Sequence, residues 1–189
     1  RILALASAKK DCRSVLNDLK QIHYKTIDAL FPDASAVFTA VDIYFQKLEE
    51  EIYSNTPYDQ VYDQVVSKGE LISSVILYRY LRSQDIPAHW HDARNSIHTD
   101  NNFREGRVDW IKTGDSIISL RNILQNNIIV TQGFIGKTED GFTTTLGREG
   151  SDFSAAIFAS CLDAESVVIW KDVPGVMNAD PKRIPTATV

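Results

Sequence analysis

The chain has 189 residues, of which 43% are hydrophobic and 24% charged, and this balance excludes disordered, collagen-like and low-complexity classes. Twenty Lys and Arg residues against 25 Asp and Glu residues leave a net charge of −5, which gives no basic surface for nucleic acid or anionic membrane. At about 150 residues per domain, the length predicts one domain.

The two cysteines, Cys12 and Cys161, lie far apart in the sequence and show neither metal-ligand nor redox spacing. This usage favours two unpaired thiols in a reducing compartment, and we therefore expect a cytoplasmic protein. No apolar run approaches the ~18 residues that a membrane-spanning helix requires. Because the single methionine is Met177, we expect the encoded protein to have residues upstream of Arg1.

The first half of the chain is predicted to be mostly helical. Residues 1–8 are apolar almost throughout and predict a buried strand rather than a signal peptide, for which the run is too short. Apolar side chains recur at three- and four-residue spacing in 14–30 and again in 37–52, which predicts two amphipathic helices. A third helical pattern covers 61–81, and Gly69 within it either begins a new helix or kinks a continuous one.

The second half alternates predicted strands and helices. Short apolar segments bounded by turn residues predict strands, and the periodic segments between them predict helices. The strands are predicted at 86–92, 127–131 and 167–170, the helices at 114–125 and 151–162, and a long loop at 133–150. Buried strands that alternate with helices indicate a mostly parallel sheet covered on both sides. We therefore predict an α/β fold, a three-layer α/β/α sandwich, in which ligands bind beyond the carboxyl ends of the strands.

Two short motifs in this half are rejected as functional sites. The GKT sequence at 136–138 follows a predicted strand, but a P-loop needs a glycine where Thr131 stands, and a turn follows instead of a helix. His89 and His91 would share one face of a strand, yet no third metal ligand at suitable spacing accompanies them. We therefore assign no metal site and expect both histidines to be structural.

The run TTTLGREGSD at 143–152 is a better candidate for a binding site. Its two glycines let the backbone approach a ligand closely, and Arg148 between them suits a carboxylate or a phosphate. Ser151 and Asp152 are predicted to cap a helix whose free N–H groups favour an anion. A surface loop with an ordinary helix cap explains the same residues equally well, so both interpretations stay open on these grounds.

A second polar loop, WKDVPGVMNADPK at 170–182, carries lysines that could face phosphates, although alone this is a weak signal. Together with other segments it resembles the amino acid kinase family, and within that family the aspartate kinases. The resemblance rests on TQGFIG and TTTLGREGSD at 131–152, IWKDVPGVMNADPK at 169–182, KGELIS at 68–73, and DAR, TDNNFRE and RVD within 92–109. The KGELIS segment matches a helix start in the family. The resemblance covers about residues 68–189, and the motif sequences are more similar to those of the monofunctional aspartate kinases.

The resemblance implies transfer of the γ-phosphoryl group of ATP, with Mg²⁺, to the side-chain carboxylate of L-aspartate. The product is 4-phospho-L-aspartate, which feeds lysine, threonine and methionine synthesis. A carboxylate nucleophile is already ionised at pH 7 and needs no general base. Catalysis then depends on in-line positioning and on neutralising phosphate charge, which suits the Gly, Arg and Lys residues of these segments. The resemblance also implies a homodimer.

Roles for single residues follow from the same resemblance. Arg148 would bind the α-carboxylate of the substrate, and Glu70 its α-ammonium group. Phe134 and Ser151 would line the same pocket, and Asp152 would orient the catalytic lysine. The positions that match nucleotide-binding residues are Lys171, Asp172, Met177 and Lys182. The family often has Thr at the first of these positions and Arg at the last, so the last change keeps the charge but loses the bidentate fork.

Two departures from the family pattern concern how much of the domain is present. The KFGGTS stretch, which in the family supplies phosphate-binding glycines and the catalytic lysine, is absent, and Lys9-Lys10-Asp11 stands where a substrate-contacting Thr is usual. The chain also stops at Val189, before the family's regulatory ACT domains. We therefore expect residues 1–189 to be a catalytic domain that is incomplete at the N-terminus and inactive alone.

Two alternative functions stay open. Another acyl-phosphate-forming kinase, acting on glutamate or N-acetylglutamate, would share the fold, although Glu70, Phe134 and the Arg148 loop favour a substrate with a free α-amino group. A non-catalytic regulatory subunit that binds nucleotide or amino acid is the alternative from a different class. The missing lysine-bearing glycine motif keeps this second alternative open.

Overall fold

The computed structural model describes residues 2–8, 10–171, 175 and 177–188. The helices are α1 (Ile2–Ser7), α2 (Arg13–Leu30), α3 (Ser35–Ile52), α4 (Tyr58–Ser83), α5 (Trp110–Ile118), α6 (Arg121–Leu124) and α7 (Gly150–Leu162). The strands are β1 (Ala88–Trp90), β2 (Ile128–Val130), β3 (Ile135–Lys137) and β4 (Thr143–Thr145). A short 3₁₀ helix covers Ala93–Asn95.

The N-terminal part of the chain is a cluster of helices built on amphipathic faces. α2 and α3 confirm the helices predicted from the apolar spacing at 14–30 and 37–52, and Pro32 lies between them. The buried apolar side chains of these helices, with those of the first half of α4, form one continuous core. Burying such stripes against one another is the main source of stability for helices of this length.

The strand predicted at residues 1–8 is wrong, because Ile2–Ser7 form α1. Ile2, Leu3 and Leu5 are half-buried and pack against the helical core. A short apolar run is compatible with a strand or with a packed helix, and the alanines within this one favour the helix.

The third predicted helix is a single continuous one, and it connects the helical core to the sheets. α4 runs for 26 residues through Gly69 and packs against α3 as well as against β1 and β4. Glu70, which the family resemblance placed at a helix start, therefore lies in the helix interior. The helix continues because the apolar positions on both sides of Gly69 share one buried face, which outweighs the cost of a single glycine.

The strands of the described residues form two small sheets. β1 and β2 are parallel, with Ala88 opposite Ile128, whereas β3 and β4 form an antiparallel hairpin with Ile135 opposite Thr145. The hairpin corrects the loop predicted at 133–150. The prediction missed it because β4 consists of three threonines, all of them buried. Their hydroxyls are satisfied inside the fold: the Thr144 Oγ1 atom, for example, lies 2.6 Å from Thr99 Oγ1.

The buried strand predicted at 167–170 is also wrong. In the part of the chain that the structure describes, these residues lie outside both sheets, and Trp170 is 90% exposed. An apolar segment becomes a strand only where a neighbouring strand offers main-chain hydrogen bonds, and the local sequence does not reveal that partner.

Two helix starts differ from the predictions. The helix predicted at 114–125 is split into α5 and α6, and α5 begins at Trp110 because the Asp109 carboxylate accepts a hydrogen bond of 3.1 Å from Lys112 N.

Ser151 and Asp152 lie in the first turn of α7 rather than at its cap. The residue before this helix is Glu149, whose φ of +56° places it in the left-handed region, and its side chain makes no capping hydrogen bond.

The predicted α/β class is confirmed by this mixture of helices with a parallel and an antiparallel strand pair. A second core, distinct from the helical one, lies where α4, α5, β3 and α7 meet, and its buried members include Leu71, Ile117, Ile135 and Ile157. Among the described helices, none has both the length and the apolar character needed to cross a bilayer.

Candidate functional site

A cavity of about 480 Å³ lies between α4, the loop at 102–105 and the loop that follows β4. Its lining residues are Asp59, Tyr62, Asn102, Phe103, Arg104, Glu105, Phe134, Thr145, Gly147 and Arg148. Two guanidinium groups and two carboxylates are therefore present on one concave surface beside aromatic rings. Such a lining suits a small ligand that carries charged groups and an apolar part.

Phe134, one of the predicted pocket residues, is fixed in this cavity by its backbone. Its φ of +71° is unusual for an aromatic residue, and its N–H donates a hydrogen bond of 2.9 Å to Ser154 Oγ on α7. A Cβ atom at Gly150 would come within 2.6 Å of Phe134 Cδ2. The glycine at the start of α7 therefore lets the ring lie directly against the helix.

Ser151, which was predicted to line the same pocket as Phe134, lies beside the chain that precedes Phe134. It is exposed in the first turn of α7, and a Cβ atom added at Gly133 would come within 3.0 Å of Ser151 Cα. The chain preceding Phe134 thus approaches α7 so closely that only glycine fits at Gly133 without displacement. Ser151 is not, however, among the residues that line the cavity.

Arg148 lines the same cavity as Phe134, so the structure brings together two residues predicted to bind substrate. Its side chain is 95% exposed, and a 3.9 Å contact with the Glu149 carboxylate is its one ion pair among the described residues. A guanidinium that is so accessible can bind an incoming carboxylate with little desolvation cost.

Asp152 contacts a lysine, but one from the second predicted loop. Lys171 Nζ donates a hydrogen bond of 2.6 Å to Asp152 Oδ2 and lies 3.5 Å from Glu149 Oε2. The Asp152 hydrogen bond raises the pKa of Lys171, so the side chain is a cation at neutral pH. Residues from the predicted substrate loop and the predicted nucleotide loop therefore meet at the start of α7.

The other predicted site residues lie apart from this pair. Glu70 is partly buried in α4, where burial raises the pKa of its carboxyl group, and it does not line the cavity. Met177 is partly exposed. Lys182 is exposed, and its main-chain N–H donates to Asp180 Oδ1 at 2.9 Å. Asp172 lies outside the described residues.

Sequence reasoning missed Asp63, which is 0% exposed and holds two walls of the cavity. Its Oδ2 atom accepts hydrogen bonds from Arg104 N at 2.8 Å and Thr145 N at 2.9 Å, and its Oδ1 atom accepts one from Thr145 Oγ1 at 2.8 Å. Burial raises the pKa of Asp63, although these hydrogen bonds act in the opposite direction. A single acidic residue in a helical pattern gives no local sign of such a role.

Arg104 was also missed, although its segment was noted for the family resemblance. Its φ is +70°, and its guanidinium lies 4.8 Å from the centre of the Tyr62 ring and 3.1 Å from Asp59 Oδ1. The loop at 102–105 thus adds a second arginine to the lining of the cavity that Arg148 also lines.

The GKT motif that was rejected from the sequence lies in a hairpin, and of the two histidines His91 has a hydrogen-bond partner whereas His89 is exposed. Gly136 and Lys137 lie in β3 and lead into a turn closed by a 3.0 Å hydrogen bond from Gly141 N to Thr138 O, with no helix start for a phosphate. His91 Nε2 lies 2.7 Å from Ser96 Oγ. Within the described ranges no group of three or more His, Cys, Asp or Glu residues is placed to hold a metal ion.

Comparison with known proteins decides the family. The sequence model described as "Amino acid kinase family" matches residues 5–189. The chain belongs to the amino acid kinase family. The match extends over the N-terminal helices, which the sequence motifs alone did not include in the resemblance.

The relatives of this amino acid kinase chain include several aspartokinases. It is 40% identical over 126 residues to the lysine-sensitive aspartokinase 3 of Escherichia coli K12. The aligned region covers 66% of this chain and 28% of that protein. It is 36% identical over 130 residues to the bifunctional aspartokinase/homoserine dehydrogenase of Buchnera aphidicola. That alignment covers 68% of this chain and 16% of the relative. The chain thus spans less than a third of either relative.

Solved structures give the same result for the fold. The chain superposes on E. coli aspartokinase III in complex with aspartate and ADP with a TM-score of 0.88 at 29% identity, covering 98% of this chain and 42% of that one. For the aspartate kinase of Clostridium acetobutylicum the TM-score is 0.72 at 26% identity, covering 95% and 37%. The predicted amino acid kinase fold and the resemblance to aspartate kinases are therefore confirmed.

Proposed function

We propose that the protein containing this chain is an aspartate kinase, which transfers the γ-phosphoryl group of ATP to the side-chain carboxylate of L-aspartate. The product is 4-phospho-L-aspartate, at the first step of lysine, threonine and methionine synthesis. The observation that carries the proposal is the cavity shared by Arg148 and Phe134, in a chain that superposes on an aspartokinase bound to aspartate and ADP. Residues 1–189 are then part of its catalytic domain.

In this proposal the chain's residues bind and orient the amino acid. Arg148 binds the α-carboxylate, and its exposed guanidinium at the cavity supports this role. Phe134 forms a wall of the pocket, and the family resemblance assigns Ser151 to the same pocket and Glu70 to the α-ammonium group, although neither of these two lines the cavity. The reacting carboxylate is ionised at neutral pH, so no side chain has to remove a proton, and orientation is the main task.

Lys171, Asp172, Met177 and Lys182 are the proposed nucleotide-binding residues. Support comes from Lys171, which is a cation beside Asp152 at the N-terminus of α7, where main-chain N–H groups also favour a phosphate. Mg²⁺ is usually held by one or two carboxylates together with substrate phosphates. We propose that Mg²⁺ enters with ATP, and we assign it no protein ligand.

The test uses the complete gene product with ATP, Mg²⁺ and hydroxylamine, which traps acyl phosphates as hydroxamates. Aspartate, glutamate and N-acetylglutamate are compared as substrates. We expect hydroxamate from aspartate alone, and we expect the signal to be lost in Arg148→Ala. Arg82→Ala, which removes an exposed arginine from the end of α4 outside the cavity, is the matched control and should retain activity.

Each other outcome selects an alternative. Hydroxamate from glutamate or N-acetylglutamate instead of aspartate would assign the protein to another acyl-phosphate-forming kinase. Nucleotide binding without product from any of the three acids would indicate a regulatory subunit.

We also propose a homodimer located in the cytoplasm. The dimer follows from the family resemblance, and the compartment from Cys12 and Cys161, which are both free thiols. Light scattering on the purified gene product tests the first proposal and cell fractionation the second.

A further inference from the structure

Asp63 is a buried carboxylate that connects α4 to two separate walls of the cavity. Its three hydrogen bonds join it to Arg104 in the loop at 102–105 and to Thr145 at the end of β4. Both partners line the cavity, whereas Asp63 itself does not. The carboxylate thus contacts the lining of the cavity and is not itself part of that lining.

The chemistry of this position is unusual for a residue that only fills space. Asp63 is 0% exposed, and among the described residues no lysine or arginine forms an ion pair with it within 4.0 Å. Burying a carboxylate is costly, and an apolar side chain could pack α4 against β4 without that cost. What an apolar side chain could not do is accept three hydrogen bonds from two different segments.

The hydrogen bonds fix features that the cavity needs. Arg104 has a φ of +70°, a conformation that non-glycine residues adopt only where the surroundings stabilise it, and its N–H is the group that Asp63 holds. Its guanidinium is thereby directed over Tyr62. Thr145 is held through both its main-chain N–H and its hydroxyl, three residues before Arg148, which fixes the start of the loop that carries that arginine.

We infer that Asp63 is a positioning residue for the amino-acid substrate, acting through Arg104 and Thr145. This inference rests on the proposed aspartate kinase function. In this inference, Asp63 lies outside the pocket and sets the distance between the loop at 102–105, which carries Arg104, and the loop after β4, which carries Arg148.

The test compares two variants of buried residues that both join α4 to β4. Asp63→Asn replaces an acceptor oxygen by an amide and loses at least one of the three hydrogen bonds. Gln64→Met is the control, because Gln64 Nε2 donates to Thr143 O at 2.8 Å and Thr143 does not line the cavity. Steady-state kinetics of the complete gene product give the KM values for aspartate and ATP.

We expect Asp63→Asn to raise the KM for aspartate by about tenfold, the effect of losing one charged hydrogen bond, with the KM for ATP unchanged. Gln64→Met should leave both KM values unchanged even where it lowers the melting temperature. Thr145→Val removes only the hydroxyl contact and should raise the KM for aspartate by a smaller factor, which keeps the test valid where Asp63→Asn does not fold. Equal KM values in Asp63→Asn and wild type, or equal changes in Asp63→Asn and Gln64→Met, would overturn the inference.

A second measurement separates this inference from the proposed function. If the wild-type protein phosphorylates none of the three acids, the proposed function fails, but amide hydrogen exchange still reports on Asp63. Faster exchange of a peptide spanning 102–106 in Asp63→Asn than in Gln64→Met would support the positioning role. The same exchange rate in both variants would exclude it.

Discussion

The ammonium group of Lys171 lies 2.6 Å from the Asp152 carboxylate, in the first turn of α7. The two residues come from the two loops that the sequence singled out, one for the amino acid and one for the nucleotide. Because the Glu149 carboxylate lies 3.5 Å from the same ammonium group, the lysine contacts two acidic groups. The contact places the lysine at the N-terminus of α7, and free main-chain N–H groups at a helix N-terminus favour an anion.

This arrangement predicts that the Lys171 side chain contributes to nucleotide binding. We expect Lys171→Met to raise the KM for ATP by about tenfold, as expected for the loss of one charge-assisted contact, and to leave the KM for aspartate unchanged. Lys112→Met is the control, because Lys112 also pairs with an exposed carboxylate, Glu139 at 3.6 Å, and among the described residues it forms no ion pair with Asp152 or Glu149. An unchanged KM for ATP would mean that only the main chain at position 171 contacts the nucleotide.

The close approach of Gly150 to Phe134 predicts a cost for any side chain there. Gly150→Ala places a Cβ atom within 2.6 Å of Phe134 Cδ2, so either the ring or α7 has to move. We expect a loss of about 1–3 kcal/mol in the free energy of unfolding and a higher KM for aspartate. Urea denaturation and steady-state kinetics measure the two effects.

Gly69→Ala is the matched control for this substitution. Gly69 lies inside α4, and an added Cβ would have no atom within 4 Å apart from its chain neighbours and the backbone of its own helix, so alanine should stabilise the helix by about 0.5–1 kcal/mol. Loss of stability in both variants, or in neither, would contradict the role assigned to the Gly150–Phe134 contact.

The sequence predicted the elements whose signal is local. Amphipathic spacing located α2 and α3 to within two residues, because each helix buries one face of its own. It could not locate β4, since Thr143–Thr145 looks like a polar loop until its partners are known. One of those partners, Asp63, is 82 residues away in the chain. The exposed apolar residues at 167–170 show the opposite error, because burial was inferred without a neighbouring strand.

The candidate site divides in the same way. Arg148, Phe134 and Ser151 could be proposed from the sequence because glycine-rich loops and family motifs are visible in one stretch of it, and two of them, Arg148 and Phe134, line one cavity. Asp63 was not found, because its role depends on two loops that the fold brings to it. Buried polar residues of a helix that contact distant segments have no periodic or motif signature, and only the three-dimensional structure reveals them.

Lys68 predicts a change in stability with pH. It is buried in α4 with a 2.9 Å hydrogen bond from Nζ to Gln64 O. Burial lowers the pKa of its ammonium group to about 8 against the opposing effect of the Glu51 carboxylate, and Arg94 and Lys47 add smaller effects in the same direction as burial. The unfolded chain, with a lysine pKa near 10.5, binds the proton more tightly than the folded chain. The folded state is therefore penalised fully below pH 8, and the penalty fades as the pH rises towards 10.5.

Lys68→Met should consequently stabilise the protein by about 1–3 kcal/mol at pH 7, and by much less at pH 10. Urea denaturation at the two pH values measures the difference. Lys25→Met, which removes an exposed lysine from α2, serves as the control and should show little change at either pH. A gain for Lys68→Met that is the same at pH 7 and pH 10 would show that packing, not the buried charge, is responsible.

The raised pKa of Glu70 predicts how kcat/KM for aspartate decreases at acidic pH, which is the acid limb of the pH profile. Burial raises the pKa of its carboxyl group above the usual 4.5, and only the ionised form can bind an α-ammonium group. As the pH falls through this raised pKa, kcat/KM for aspartate should therefore decrease. The decrease should occur at a higher pH than the titration of the side chain of free aspartate, whose pKa is near 3.9.

Glu70→Gln should lower kcat/KM for aspartate by roughly 100-fold at pH 7, the effect of losing a charged hydrogen bond in a buried position, and should remove this limb. Glu139→Gln, a substitution of an exposed carboxylate in the turn after β3, should change neither. The measurement is kcat/KM between pH 4.5 and pH 8, a range in which the aspartate side chain itself is mostly ionised. An acid limb that persists unchanged in Glu70→Gln would assign it to a group other than Glu70 and leave the α-ammonium group without its proposed partner.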